Sequence, residues 1–560
     1  MGYRVRPCDP TAAQELGRAV GVGATTAQVL LQRGLDEAEV VKRYLSPTLR
    51  DLSSPSAMAD RDRATERLVH AIIRRERIAV FGDYDVDGAT SAAIFSDVLE
   101  ALGGDVVGLV ANRFEGGYGF SGPALQRCLD AGAKLIVTCD CGSSDHPRIA
   151  DARRAGVDVI VVDHHLVPRE PLPAYAFLNP HRPDCGYEYK GMCSAGLAFV
   201  MGASLRTKLG AKLDLKPWLD LVALGTVADV APLDGDNRRL VRAGLTGLSK
   251  PIRPGVVALR EAASMSGPVG AFDIAFRLAP RLNAPGRLAD PAVTLALLRA
   301  RTLDEARPLA ARIEQLNEER KAVEKEVTEA AVAQVIDTYG EDPAGGLVVV
   351  GEGWHRGVVG ITAARLVDRF HRPAVVIGTD GTVGHGSGRT FDGFDLYDAL
   401  KAASEGLDAF GGHRAAVGLS LKVGAVERFR AAFFDACAQR GARQARKAPV
   451  ADVCLDGVGF LPPTGHDLWR LEPLGHRNPE PLFSVSRAKV MHKSAVGDEG
   501  KHLKLRLRLG RDYLPAFGYE LGAELPKIGT EVDAIGQVRF DPYRGGNSVE
   551  LRLSEVKPPS

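Results

Sequence analysis

Three short apolar runs in this chain each end in acids. Arg77–Phe81 (RIAVF) leads into Gly82-Asp83-Tyr84-Asp85-Val86-Asp87-Gly88, Lys134–Gly142 reads KLIVTCDCG, and Val157–His165 reads VDVIVVDHH. Between them lie helical patterns, ATSAAIFSDVLEALG and HPRIADARRAG. Alternation of this kind predicts a parallel, doubly wound α/β sheet, because parallel strands need helical crossovers and are buried on both faces. In such sheets the ligand crevice lies beyond the carboxyl ends of the strands, which is where the acids fall.

The same logic orders the rest of the chain. Residues 1–50 read as a small helical segment. Beyond residue 250, Ile313, Leu316, Val323, Val327 and Val335 recur on a stretch without Gly or Pro, which predicts a long connecting helix. A second α/β pattern follows, with GGLVVVGEG, GITAARLVDRF and PAVVIGT and then the Gly-rich turns GHGSGRTFDGFD and FGGHRAAVG. From about 450 the texture becomes alternation without long helices (HLKLRLRLG, TEVDAIGQVRF, SVELRLSEV), as expected of a small β-barrel. QRGARQARKAP at 439–449 reads as a basic linker.

Composition excludes little. The formal net charge is +1, so any affinity for nucleic acid must come from local patches. The eight cysteines form no C-x-x-C pair, and the expectation is reduced, mostly buried thiols. MGYRVRPCDPTAAQ lacks the apolar core of a secretory signal and no run approaches the ~20 residues of a membrane span, so the expectation is a cytoplasmic protein without a membrane partner.

The acids carry the chemistry. Three carboxylates within Asp83–Asp87 repel one another, and at a strand end they call for cations. Taken alone, Asp85–Thr90 (DVDGAT) would also suit a plain turn or a haloacid-dehalogenase-like loop. Asp140 ends a second strand, Asp163-His164-His165 a third, and Asp229 stands in LGTVADVAPL, so four segments deliver ligands to one edge. Carboxylates suit Mg²⁺ or Mn²⁺, and an added imidazole favours Mn²⁺. Two such ions sharing a carboxylate clamp a phosphodiester and lower the pKa of an attacking water. In that arrangement His164 binds metal and His165 faces the phosphate.

VFGDYDVDGATS, VTCDCG, VVDHHLVP and LGTVADVAPL resemble the four motifs of the DHH phosphoesterase superfamily, and GHGSGRT with FGGHRAAVG resembles its companion DHHA1 domain. ANRFEGGYGFS, LNPHRPDC, APRLNAPGRL, LNEERK and WHRGVVGI are similar to the RecJ family of bacterial exonucleases. The resemblance implies degradation of single-stranded DNA from its 5′ end to nucleoside monophosphates, in DNA repair and recombination. It implies Asp85, Asp87, Asp140, His164 and Asp229 as ligands of two Mn²⁺ or Mg²⁺ ions, with Asp140 the bridge and His165 the phosphate contact. Joined to the pattern reading of a helical segment at 1–50, a helical connector at 246–338 and a linker at 439–450, it implies a DHH catalytic domain at 51–245, a DHHA1 domain at 339–438 and an oligonucleotide-binding (OB) fold at 451–560. A monomer is expected, with a single-strand-binding protein or a helicase as protein partners. The sequence departs from the family at Phe81, where several DHH enzymes carry a histidine, which implies a weaker ion at Asp85.

Further candidates lie outside the acidic motifs. Arg281 and Arg287 flank an Asn-Ala-Pro-Gly turn and suit a terminal 5′-phosphate, although surface arginines would read the same way. Ser387, Arg389 and His413 lie in Gly-rich turns suited to the scissile phosphate. Arg113 is placed to guide the strand, and Arg320 on the long helix either snorkels or contacts a phosphate. Lys504, Arg506 and Arg508 alternate with leucines on one barrel strand; with Tyr513, Phe517, Tyr519, Arg539 and Tyr543 nearby they suit a single-strand groove. Rival readings are a small-molecule phosphodiesterase or phosphatase of the same superfamily, which would not need the barrel, and a catalytically weak DNA-binding scaffold, which would have lost some acids.

Overall fold

The structure is a computed structural model and describes residues 3–115, 119–444, 448–540 and 548–559. Its first sheet has five parallel strands in the order Asp105–Val110, Arg77–Gly82, Leu135–Cys139, Asp158–Val162, Ala176–Leu178. The chain therefore starts one strand in from the edge, adds the edge strand, and then steps back across. The reversal falls between Arg77–Gly82 and Leu135–Cys139, and a doubly wound sheet places its ligand crevice at the loops that leave these two strands. Side chains alternate between two cores: Ile78 and Val80 pack under the helices Val86–Ala101, Ser194–Lys208 and Leu219–Ala228, while Ala79 and Phe81 pack with Phe120, Leu125 and Ile149 on the other face. Val86–Ala101 is apolar or small-polar nearly all round and is buried throughout most of its length, as a helix without a polar face must be.

The predicted connecting helix runs from Leu303 to Tyr339, 37 residues or about 55 Å at 1.5 Å per residue. Thr302 caps it, its hydroxyl accepting from Glu305 N at 3.2 Å. Ile313 belongs to the core of the first domain, whereas Ala331 and Val335 belong to that of the second, so one helix is built into both. The second sheet is mixed, in the order Leu407–Gly412, Ala416–Lys422, Val383–Arg389, Ala374–Thr379, Leu347–Glu352, with only the last two strands parallel.

Five strands then close on themselves: Phe483–Val496, His502–Leu509, Asp512–Gly518, Val549–Lys557, Glu531–Phe540 and back to Phe483–Val496. Closure pairs each of these five strands on both sides, and the short strand Val453–Cys454 adds in parallel to Phe483–Val496. Leu503, Leu505, Leu507 and Leu509 fill its interior. The helical segment near the N-terminus does not stand alone, because Ala13, Leu16, Val20 and Leu30 share the barrel's core and Arg4–Val5 pairs in parallel with Val450–Ala451. All eight cysteines are free and six of them are buried. Among the described residues no helix is long and apolar enough to cross a membrane.

Candidate active site

Each acid is delivered by a local rule. Asp85 is the N-cap of Val86–Ala101, its carboxylate accepting from Gly88 N at 2.9 Å, and Asp87 sits in the first helical turn, where the dipole favours negative charge. The Asp87 carboxylate, almost fully buried, also accepts from Ser194 N (2.8 Å) and Ala195 N (2.9 Å) at the start of Ser194–Lys208. Asp140 follows Cys139 in the left-handed region at φ 64°, which turns its side chain into the crevice; Asp is among the few residues that accept this backbone conformation. Its Oδ1 lies 3.1 Å from His164 Nε2 and accepts from Ser194 Oγ at 3.2 Å. Asp229 terminates Leu219–Ala228, and its Oδ2 is 3.7 Å from His164 Nε2, which also lies 3.8 Å from Asp87 Oδ2.

These groups form three overlapping sets in which one donor atom from each residue lies within 4.8 Å of the others: Asp83, Asp85 and Asp140; Asp87, His164 and Asp229; Asp140, His164 and His165. All five residues assigned by sequence as metal ligands fall in them. Asp83, part of the acidic loop but not of that assignment, joins them, and its buried Oδ1 has no hydrogen-bond partner. Crowding leaves its mark on the acids. Burial and the neighbouring carboxylates push Asp83 and Asp140 well above the usual carboxylate range and Asp229 up to about 8, and burial with Asp87 raises Asp85. A buried cluster of oxygens and one imidazole, each acid disfavoured by the next and one oxygen left unpartnered, fits divalent cations.

The VVDHH run has an internal division of labour. Asp163 accepts from Ser143 N (3.0 Å), His164 N (2.8 Å) and His165 N (3.1 Å), an Asx-type turn that fixes both imidazoles. It also meets His165 Nδ1 at 2.7 Å. Burial opposes ionisation here, yet the bond from His165 keeps Asp163 well below the usual carboxylate range. His165 moves in the matching direction: burial would lower it, but Asp163 raises it to about 9. His164, more deeply set, is lowered by burial, which favours the neutral imidazole that a metal ligand needs to be. The orienting role of Asp163 was missed by sequence reasoning; the signal was its position two residues before His165, the spacing of an Asx turn.

Phe81 corrects an expectation. It is fully buried on the sheet face that packs against Phe120, with ring centroids 5.4 Å apart, so no ligand position at the metal site stands vacant because of it. Phe81→His is expected to destabilise the fold by about 2 kcal/mol or more by burying an unpaired imidazole, without tightening metal dependence. Denaturant melts and a metal titration check this; a tighter titration at unchanged stability would mean that residue 81 reaches the ions.

Opposite the acids is a basic wall. Arg287 lies on the helical turn Pro285–Leu288 and donates to Gly357 O at 3.1 Å. The turn lies directly against the acidic loop because residue 286 is glycine: a Cβ there would stand 2.8 Å from Tyr84 O. Burial, with repulsion from Arg113, Arg320 and Arg389, lowers Arg287 to about 10, so four guanidiniums from four segments converge. Arg113 stacks over Tyr84 at 4.6 Å. Arg320 does not snorkel: it is buried, donates to Glu324 (2.5 Å) and Asn317 (3.1 Å), and keeps an unpartnered Nε. Arg389 donates to Ser387 Oγ at 2.9 Å, and Gly360 lets the helix Val359–Phe370 start beside both, since a Cβ there would lie 2.9 Å from Arg389 Nη2. His413 is exposed, its Nδ1 accepting from Ala415 N at 3.3 Å, so a neutral ring carries its proton on Nε2. Arg281 is engaged elsewhere, in a two-pronged pair with Glu314 of the long helix at 2.5 and 3.0 Å.

On the barrel, Lys504, Arg506 and Arg508 are exposed while the leucines between them are buried. They face Phe517, Pro515 and Tyr513 on the next strand, and Arg506 lies over Tyr513 at 4.2 Å. His502 stacks on exposed Tyr519 at 4.6 Å. Arg539 is not part of this face, being held by Glu480 through two 2.7 Å bonds, and Tyr543 lies outside the described residues.

Comparison with known proteins agrees with this layout. The family model of the DHH N-terminal domain matches residues 77–226, that of the DHHA1 domain 344–439 and that of the RecJ OB domain 462–555. The single-stranded-DNA-specific exonuclease RecJ of Salmonella typhimurium is 37% identical over 524 residues, covering 89% of this chain and 90% of its own. This chain belongs to the RecJ family. The RecJ of Bacillus subtilis is 32% identical over 581 residues, covering 99% of this chain and 71% of its own. Among solved structures, RecJ of Thermus thermophilus in complex with Mn²⁺ superposes with a TM-score of 0.82 at 29% identity, over all of this chain and 79% of that one. The same RecJ in complex with Mg²⁺ superposes with a TM-score of 0.75.

Proposed function

We propose that this chain is a metal-dependent exonuclease that degrades single-stranded DNA from its 5′ end to nucleoside monophosphates. The observation that carries the reading is the pairing, across one crevice, of a crowded buried acid cluster with four converging arginines. That combination suits an anionic phosphodiester held by cations on one side and guanidiniums on the other. Asp83, Asp85, Asp87, Asp140, His164 and Asp229 would hold two Mn²⁺ or Mg²⁺ ions, with Asp140, common to two of the donor sets, as the shared ligand. When bound, such ions neutralise phosphate charge and lower the pKa of an attacking water. The side chains supply the rest. His165, kept protonated by Asp163, donates to a non-bridging phosphate oxygen, and Arg389 with Ser387 and His413 closes on the phosphate from the second domain. Barrel cations and aromatics hold the strand on the 3′ side of the cleft. The protein would act as a monomer on strands presented by a helicase or a single-strand-binding protein.

The test is digestion of single- and double-stranded DNA labelled at one end or the other. Release of mononucleotides from the 5′ label of single strands alone is expected, faster with Mn²⁺ than with Mg²⁺ at equal concentration because His164 adds nitrogen to an oxygen site. Release from the 3′ label, or hydrolysis of small phosphodiesters alone, would overturn the reading.

Of the two arginines proposed for the terminal phosphate, Arg287 fits better, because Glu314 already neutralises Arg281. Arg287→Ala is expected to lower the preference for 5′-phosphate over 5′-hydroxyl ends roughly tenfold, the loss of a charged hydrogen bond. Arg281→Ala should act mainly on stability. An unchanged end preference in Arg287→Ala would remove it from the terminal site.

A further inference from the structure

Two phenylalanines remain unexplained by this chemistry. Phe272 and Phe276 are 43% and 66% exposed, although the residues around them, Ala271, Ile274 and Leu278, are buried. The segment Ile274–Leu278 is π-helical, a rare geometry that recurs at functional sites because its extra residue per turn redirects side chains. The two rings are tilted by 31° with centroids 4.5 Å apart, and the Arg539 guanidinium lies over Phe272, 4.0 Å from its ring centre. Arg539 is fixed by its two bonds to Glu480. Three planar groups thus form a short, tilted column, Arg539, Phe272 and Phe276, anchored at the barrel and with Phe276 its more exposed ring.

The column's position says what it would meet. Arg539 belongs to the barrel strand Glu531–Phe540, and the half-buried Glu472 carboxylate of the barrel segment accepts from Ala271 N, so Phe272 sits at the seam between the two domains. The π-helical turn packs on Leu219–Ala228, whose cap is Asp229 of the acid cluster, and the same helical run continues to Arg281 and Arg287. A strand held by both the barrel and the acid cluster would have this seam between the two. Arg539 and Arg277 are paired with Glu480 and Asp273, so the two arginines beside these rings are already neutralised and the column offers a stacking face.

We propose that Phe276, backed by Phe272 and Arg539, is a stacking platform for one base of the single strand, some nucleotides inward from the end being cut. Its ligand is a nucleobase of either sugar type, since every base presents a π-face. The inference rests on the single-strand exonuclease reading and deepens it.

The experiment uses the full chain with 20-nucleotide single strands that carry the fluorescent base 2-aminopurine at successive positions, bound in EDTA so that nothing is cut. One internal position should be quenched several-fold in the wild type. The quench should vanish in Phe276→Ala and in Phe276→Leu, which keeps apolar area but not a ring, and persist in Phe276→Trp. With Mn²⁺ present, the ratio of KM for 20-mers to KM for dinucleotides should rise about fivefold or more in Phe276→Ala, the effect of losing one base–aromatic stack. Thermal melting of each variant reads folding separately. Unmoved quenching in Phe276→Ala overturns the platform, as does an equal loss on 20-mers and dinucleotides, which marks a structural role. If wild-type protein binds the strands yet cuts none, the nuclease reading fails, and the quenching pattern still decides the platform.

Discussion

Asp140→Asn is expected to lower kcat by about a thousandfold or more, ~4 kcal/mol of barrier, while leaving the metal-free protein as stable as wild type or more stable. Asparagine is the informative replacement. Residue 140 sits at φ 64°, a conformation that Asn tolerates and Ala does not, so the substitution removes charge without straining the turn. Asp140 lies against Asp85, Asp87, Asp163 and Asp229 in a buried site, and its folded-state pKa is raised well above the ordinary value. The sign follows: the folded state takes up a proton that the unfolded state has lost, so near neutral pH the ionised side chain works against folding, and removing it relieves that cost. Metal reverses the comparison, because ions that bind only the folded form should raise the wild-type melting temperature and raise that of the variant much less. Calorimetry with and without Mn²⁺ beside single-turnover hydrolysis reads both halves. More than a tenth of wild-type kcat would exclude Asp140 as a shared ligand.

How far this site was legible depends on the range of the contact that defines each residue. Acids at the ends of buried strands are visible in sequence because nothing in a buried strand needs them, and the alternation of runs and helices already implies that their ends share one edge. The exposed side of the barrel strand was legible from alternation, since Lys504, Arg506 and Arg508 obey the two-residue period. Phe81 could have been read correctly too: it shares parity with Ala79, not with Val80, and so faces the core away from the helices that carry Asp87 and Asp229. Pairings between distant segments are another matter. Glu314 captures Arg281 from 33 residues away, Glu480 captures Arg539 from 59, and Ser194 meets Asp87 from 107. No local spacing encodes these. The role of Asp83 is of the same type, because which acid of a D-x-D-x-D loop leaves an oxygen unpartnered depends on the backbone around it.

Replacing Lys504, Arg506 and Arg508 together with alanine is expected to weaken binding of strands of some tens of nucleotides and to flatten the dependence of log affinity on log salt by up to roughly 2 units. Each phosphate neutralised on a single strand releases condensed counterion and contributes about 0.7 to that slope. The three side chains stand on one exposed face, spaced two residues apart along a strand, and Arg506 lies over the Tyr513 ring at 4.2 Å. Buried leucines on the opposite face hold the barrel together, so the substitutions remove charge from the surface and leave the core intact. The acid cluster belongs to another domain, and the defect should therefore grow with strand length: the ratio of KM for long strands to KM for dinucleotides rises, and the gap narrows at high salt, where the wild type loses the same electrostatic attraction. Fluorescence titrations at several salt concentrations, with steady-state kinetics on strands of graded length, measure both. An unchanged slope would take this face off the path of the strand, and equal losses at every length would make its role structural.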